Sequence, residues 1–212
     1  MPTILIYSVS IAGAYLLGSI PTAYLLGRIF RGIDIRQHGS RNVGATNAFR
    51  VLGIALGILT MLIDIGKGWL AVFLGQVLFP GQHDILFIFT GLSAILGHIY
   101  TIFLNFSGGK GVAASAGVFL ALLPGPAAIT LAVFLLTLFF TGFVSLSSLA
   151  AVCTLFLIVL VTNIKSGFER PVMLGLVTIV ALFITIRHSS NIKRLLKGTE
   201  NRVNFGRKRQ DY

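Results

Sequence analysis

Residues 51–79 read VLGIALGILTMLIDIGKGWLAVFLGQVLF, an apolar run in which the only charges are Asp64 and Lys67. A helix needs about 20 mostly apolar residues, range roughly 17–25, to cross a bilayer. This run is long enough, and it reads as a membrane span. Similar runs lie on either side. Residues 3–27, softened at Pro21, precede it; residues 85–106, 127–143, 146–162 and 172–186 follow it. A shorter run, 112–123, ends at Pro124-Gly125-Pro126. As a helix it rises only about 18 Å, so it crosses only if the glycine-lysine loop before it also enters the membrane. The expected fold is an all-α polytopic membrane protein with about seven transmembrane helices, forming a single integral membrane domain over residues 1–212.

Composition supports the same class. Hydrophobic residues make up 55% of the chain and charged residues 11%. Soluble domains carry roughly 25% charged residues, so this chain cannot cover a water-facing surface of its size. One cysteine excludes a disulfide scaffold, and Cys153, inside an apolar run, reads as a small buried apolar residue. The first run has no basic region ahead of it and reads as a retained span, not a cleaved signal.

Seventeen Lys and Arg stand against six Asp and Glu, a net charge of +11. In a soluble protein this would suggest nucleic acid. Here the cytoplasmic excess of basic residues in membrane proteins explains it, and no nucleic-acid partner is expected. Membrane lipid or an anionic substrate can use the same charge. With seven crossings, Arg28, Arg31, Arg36, Arg41, Arg50, Lys110, Arg187, Lys193, Arg194, Lys197, Arg202, Arg207, Lys208 and Arg209 fall on one side. Only Lys165 and Arg170 fall on the other. The basic side is therefore expected to be cytoplasmic, with the N-terminus outside and the C-terminus inside. A five-span arrangement keeps the same sidedness. Residues 187–212 form a basic amphipathic cytoplasmic tail.

Polar residues near the hydrocarbon carry the most information. They form three clusters, all on the basic side. Residues 32–50 contain Gly39, Ser40, Arg41, Asn42, Gly44, Thr46, Asn47 and Arg50. Thr46 can cap the helix that starts there, and Asn47 and Arg50, three apart, share a face. A solvated basic loop is the plainer reading of the charges alone. The second cluster joins Gly97-His98 to Gly108-Gly109-Lys110-Gly111. A glycine-rich turn opening a helix can present backbone amides and an ammonium to a phosphate. It is not a Walker A loop, because Gly111 stands where Ser or Thr would bind magnesium. His98 alone reads as a hydrogen-bonded core histidine. The third cluster, 187–200, includes His188, Asn191 and Glu200 in a basic amphipathic stretch. An interfacial anchor on anionic lipid explains its charges but not the pairing of His188 with Asn191. Asp64 and Lys67 read as a local ion pair that lowers the cost of inserting their span.

Several chemistries are missing. No His, Cys, Asp and Glu group has metal-ligand spacing. There is no Gly-x-Ser-x-Gly elbow. No His-x-x-x-x-Asp acyltransferase box occurs either, which disfavours the familiar acyl-CoA chemistry.

Taken in order, the three clusters resemble those of the bacterial membrane acyl-phosphate:glycerol-3-phosphate acyltransferases, the PlsY family. The resemblance runs nearly the whole chain. It includes Gly18-Ser19-Ile20-Pro21, then residues 39–47 with Arg50, Asp64, Lys67-Gly68 and Gly97-His98. It continues through Gly108-Gly109-Lys110-Gly111-Val112-Ala113 to Arg187-His188, Asn191-Ile192, Arg194-Leu195 and Gly198-Thr199-Glu200. One departure is visible: Arg41 stands where the family usually has glycine. If that glycine serves a positive φ, the loop must differ locally here.

The resemblance implies acyl transfer from acyl phosphate to the 1-hydroxyl of glycerol-3-phosphate, giving lysophosphatidate for phospholipid biosynthesis. It implies a multi-pass protein of the bacterial cytoplasmic (inner) membrane, with its site toward the cytoplasm and no metal or cofactor. Lys110 and the amides of Gly108, Gly109 and Gly111 would then meet one phosphate. Ser40, Asn42, Thr46, Asn47 and Arg50 would frame the other phosphate and the glycerol. His188 and Asn191 would orient the attacking hydroxyl or the acyl carbonyl, and Glu200 would join the binding set. The alternative is a transporter or channel for a small organic anion, which suits basic intramembrane loops. Alternating access would place polar clusters on both sides of the membrane, whereas these lie on one.

Overall fold

A computed structural model describes residues 3–79 and 84–203. The polar turn expected at 80–83 and the tail beyond residue 203 lie outside the described residues. The described chain is helical: α1 (Thr3–Ser19), α2 (Thr22–Arg31), α3 (Ala45–Val51), α4 (Ile54–Leu78), α5 (Asp84–Ile99), α6 (Val112–Leu122), α7 (Pro124–Thr141), α8 (Val144–Lys165), α9 (Pro171–Arg187) and α10 (Ser189–Leu196). Short 3-10 turns occupy Ile35–Gln37 and Ile102–Leu104.

Among the described residues, five helical stretches are long and apolar enough to cross a membrane, and there are six if α9 and α10, bent by 58° at His188, are counted as one span. α6 is an 11-residue apolar helix, as its length in sequence suggests. With it, the set approaches the seven expected. Several boundaries move. The first span continues as α2 to Arg31, where Gly32 takes the left-handed conformation and ends it. α7 starts at Pro124, not after Pro126, because a proline costs nothing at the first position of a helix.

Two helix pairs pack through glycine. Gly18 of α1 lies against the Ala94 backbone of α5, and Gly117 of α6 lies against the Ile65 carbonyl of α4. A Cβ at either position would strike backbone, so these contacts are open only to glycine. The apolar core gathers where α4, α5, α6, α8 and α9 meet, around Val72, Leu86, Ile95, Val118, Leu155, Val177 and Val180. α7 buries little of itself and leaves Leu131, Leu135, Leu136, Phe139 and Phe140 exposed, as lipid contact requires. Cys153 is likewise exposed, contrary to its expected burial, because it falls on the outward face of α8.

Candidate active site

The first cluster is folded around one amide side chain. Asn47 is 1% exposed. Its Oδ1 accepts the Ser40 N–H at 2.8 Å, and its Nδ2 donates to the carbonyls of Asn42 at 2.9 Å and His38 at 3.1 Å. Its donors and one acceptor position are thus spent on the loop itself. Asn42 Oδ1 takes the Gly44 N–H at 2.9 Å, so it too shapes the turn. Ser40 and Thr46 remain exposed. Thr46 does not cap α3: Gly44 holds the N-cap position, and Thr46 is already within the helix. Arg41 takes φ +59° itself, so the loop keeps a left-handed residue without glycine. Such a conformation costs about 1–3 kcal/mol in a non-glycine residue. Ahead of this loop, the Arg36 guanidinium bonds the Asp34 carboxylate at 2.7 Å and holds that carboxyl down at about 2.

The second and third clusters meet directly. Lys110 Nζ donates to Asn191 Oδ1 across 81 residues of sequence. Asn191 Nδ2 in turn donates to Glu200 Oε1 at 2.7 Å, and Arg194 Nε donates to Glu200 Oε2 at 2.7 Å. Ser145, at the start of α8, donates to Glu200 Oε1 at 3.1 Å. Burial pushes the Glu200 carboxyl up, but the bonds from Asn191, Arg194 and Ser145 outweigh it and hold it below its ordinary value. The segment after α10 is strapped to the α7–α8 junction. Val203 N–H bonds the Gly142 carbonyl at 2.8 Å, and the Arg202 guanidinium lies 4.8 Å from the centre of the Phe143 ring.

The glycine-lysine loop differs from a simple phosphate cradle. The Gly108 N–H bonds the Ile99 carbonyl at 3.0 Å, and the Gly109 N–H bonds the His98 carbonyl at 2.9 Å. Those two amides, expected to face a phosphate, are turned into the protein. Their carbonyls face Arg187, whose Nη2 donates to both at 3.2 Å. Lys110, Gly111 and the first turn of α6 are left as the part of the loop able to offer donors, with Gly111 at φ +87° capping the helix. Burial lowers the Lys110 ammonium to about 8; Glu200 opposes this, while Arg194, Arg187 and Arg50 reinforce it. That shared field also places Arg50, from the first cluster, in the same neighbourhood.

His188, 3% exposed, sits at the bend between α9 and α10. Its Nδ1 lies 2.8 Å from the Ile184 carbonyl. A carbonyl only accepts, so Nδ1 carries the proton and Nε2 carries the lone pair. Burial, then the Lys110 charge, push His188 down to about 4, so it is neutral at physiological pH. Sequence reasoning did not single out Arg187, Arg194 or Ser145 as site residues. The two arginines stood in the basic stretch it marked; Ser145 gave no signal, because only the fold brings it to Glu200.

The family model for glycerol-3-phosphate acyltransferases matches residues 8–198. The chain is 46% identical over 190 residues to glycerol-3-phosphate acyltransferase 2 of Bacillus anthracis, covering 90% of this chain and 95% of that protein. It is 44% identical over 191 residues to the glycerol-3-phosphate acyltransferase of Geobacter sulfurreducens, covering 90% and 94%. Its fold matches the crystal structure of PlsY (YgiH), an integral membrane glycerol 3-phosphate acyltransferase, in the glycerol 3-phosphate form. The TM-score is 0.84 at 35% identity, over 93% of this chain and 96% of that one. The lysophosphatidic acid form of the same protein matches with a TM-score of 0.81.

Proposed function

Because this chain belongs to the glycerol-3-phosphate acyltransferase family, we propose that it takes its acyl group from an acyl phosphate and passes it to the 1-hydroxyl of glycerol-3-phosphate, without a metal. Glycerol-3-phosphate acyl transfer is the family activity, and the chain is an integral membrane enzyme of that kind. The products would be lysophosphatidate and inorganic phosphate. The observation that carries the reading is the convergence of basic side chains on one loop: Lys110 bonds Asn191, Asn191 and Arg194 share Glu200, and Arg187 bonds the Gly108 and Gly109 carbonyls. Two phosphorylated substrates need that surplus of positive charge.

An acyl phosphate is a mixed anhydride with a good leaving group. The enzyme then needs to hold two anions together and to stabilise developing charge, more than it needs a covalent nucleophile. In this reading Lys110 and the amides at the start of α6 neutralise one phosphate. Ser40, Thr46 and Arg50 approach the other phosphate and the glycerol, with Asn42 and Asn47 shaping the loop that presents them. The glycerol oxygen attacks the acyl carbon, the carbon–oxygen bond to the leaving phosphate breaks, and the hydroxyl proton passes to a base. His188 Nε2 can accept a hydrogen bond from that hydroxyl and aim it. Asn191 and Glu200 keep the Lys110 ammonium in place, and Gly108 and Gly109 serve as the anchored base of the loop. Membrane lipid surrounds the spans and supplies the apolar space an acyl chain requires.

The donor is tested by supplying purified protein with glycerol-3-phosphate and either acyl phosphate or acyl-CoA, and detecting lysophosphatidate by mass. Acyl phosphate is expected to support turnover and acyl-CoA to support little. Comparable rates with acyl-CoA, free of contaminating activity, would overturn the donor assignment. The site is proposed to face the cytoplasm of a bacterial inner membrane. In a Cys153→Ser background, Glu169→Cys is expected to react with an impermeant thiol reagent on intact cells and Lys197→Cys to be protected. The opposite pattern would reverse the orientation.

A further inference from the structure

Beneath the glycine-lysine loop lies a second polar cluster that the chemistry above does not use. Asp64 and Lys67 of α4 are 1% and 5% exposed. Lys67 Nζ lies 2.9 Å from Asp64 Oδ1. Thr22, the first residue of α2, donates to the same oxygen at 2.8 Å, and His98 Nδ1 stands 3.7 Å from it. Lys67 also donates to the Ile20 carbonyl at 2.8 Å, at the break where Pro21 interrupts the first span and where the Thr22 N–H bonds the same carbonyl at 3.0 Å. The local ion pair that the i,i+3 spacing suggests is present, and it reaches beyond its own helix. It ties the broken first span to α4 and to the end of α5.

Two contacts carry this cluster up to the loop. The His98 ring packs directly under Gly109, where any Cβ would meet Nε2, and the His98 carbonyl accepts the Gly109 N–H at 2.9 Å. A small cavity of about 10 Å³ joins the same parts: Asp64, Lys67 and His98 line it together with Gly109 and with Val43 of the first loop. The cluster thus borders both segments assigned above to the substrates. Stability alone explains it poorly, since a buried ion pair is often no more stabilising than apolar residues of the same volume.

We propose that Asp64, Lys67 and His98 are positioning residues for acyl transfer, a rigid floor that fixes Gly109 and so sets where the Lys110 ammonium meets Asn191 and a substrate phosphate. This inference rests on the phosphate role assigned above to Lys110. It is a placement argument. A shift of about 1 Å at a group that orients reactants can cost roughly a hundredfold in rate, even when the shifted support lies outside the reacting atoms.

The test is the double variant Asp64→Asn/Lys67→Met, which removes both charges together and leaves no unpaired ion in the interior. In detergent it is expected to keep a thermal transition within a few degrees of the parent, while kcat/KM falls by roughly ten- to a hundredfold. The alkaline limb of kcat/KM should also move upward. A loosened loop admits water to Lys110, weakening the burial that depresses it, while Glu200, Arg194, Arg187 and Arg50 stay in place. A folded double variant with parental kcat, KM and alkaline limb would reduce the cluster to a structural ion pair and overturn the proposal. If that variant does not fold, Thr22→Val and Thr22→Ser read the same quantity. The valine variant, which loses the bond to Asp64, is expected to be several-fold slower, and the serine variant, which keeps it, to match the parent. Equal rates in both would overturn the proposal. Lys110→Ala separates the two levels of argument. An active Lys110→Ala enzyme defeats the phosphate role and this inference together; an inactive one beside normal cluster variants defeats this inference alone.

Discussion

Lys110→Ala is expected to lower kcat by roughly 10²–10³-fold, or about 2.7–4 kcal/mol, the scale on which one preorganised donor in a dry site stabilises developing charge. The fold should survive, because Lys110 is only half-buried and its bond to Asn191 leaves Asn191 still held by Glu200. The same side chain should shape the pH profile. Burial lowers its ammonium to about 8, so the charged form required for anion binding is complete below that value. It is lost as pH rises through about 8, and kcat/KM should decline there. The Lys110→Ala enzyme should lack that decline. A variant with near-parental turnover would mean that the loop is a turn without a chemical role.

His188→Asn separates two sources of the base. The structure holds His188 neutral, near 4, chiefly by burial and then by the Lys110 charge. If the histidine takes the hydroxyl proton, activity should fall only as the pH approaches about 4, and that acidic limb should vanish in His188→Asn. A substrate phosphate monoester titrates near 6, so a base drawn from the substrate gives an acidic limb about two units higher. The expected result is the second: a limb near 6 in both enzymes, with kcat lowered about a hundredfold in the variant through lost aim alone. Disappearance of the limb from a folded, saturated variant would make His188 the base.

Much of this architecture can be read directly in the chain. Apolar runs at bilayer length define the spans, and the resemblance of the three polar clusters leads to the family. What could not be read depends on contacts distant in sequence. Nothing local shows that the Gly108 and Gly109 amides turn toward the carbonyls of His98 and Ile99, because that follows from how α5 ends beneath them. Thr46 has the right side chain for a cap, but the helix starts two residues early, and Gly44 occupies the position. Cys153 is apolar enough for a core, yet in a bilayer the outward face of a helix is apolar as well, so composition cannot assign its side. Arg41 is instructive in the other direction. A missing glycine suggested an altered loop, whereas the backbone keeps φ +59° and places an arginine in it.

The carboxylate that steadies Lys110 through Asn191 belongs to Glu200, on the strap that follows α10. A ribosome reaches that residue only after α1 through α9 have been made. A nascent chain that stops just short of it already has its spans and its lysine but lacks the clasp formed by Glu200, Ser145 and Arg194. The enzyme's centre therefore matures late in biosynthesis. A copy one residue short of Glu200 is already threaded into the bilayer, yet nothing holds Asn191 against its lysine from the far side.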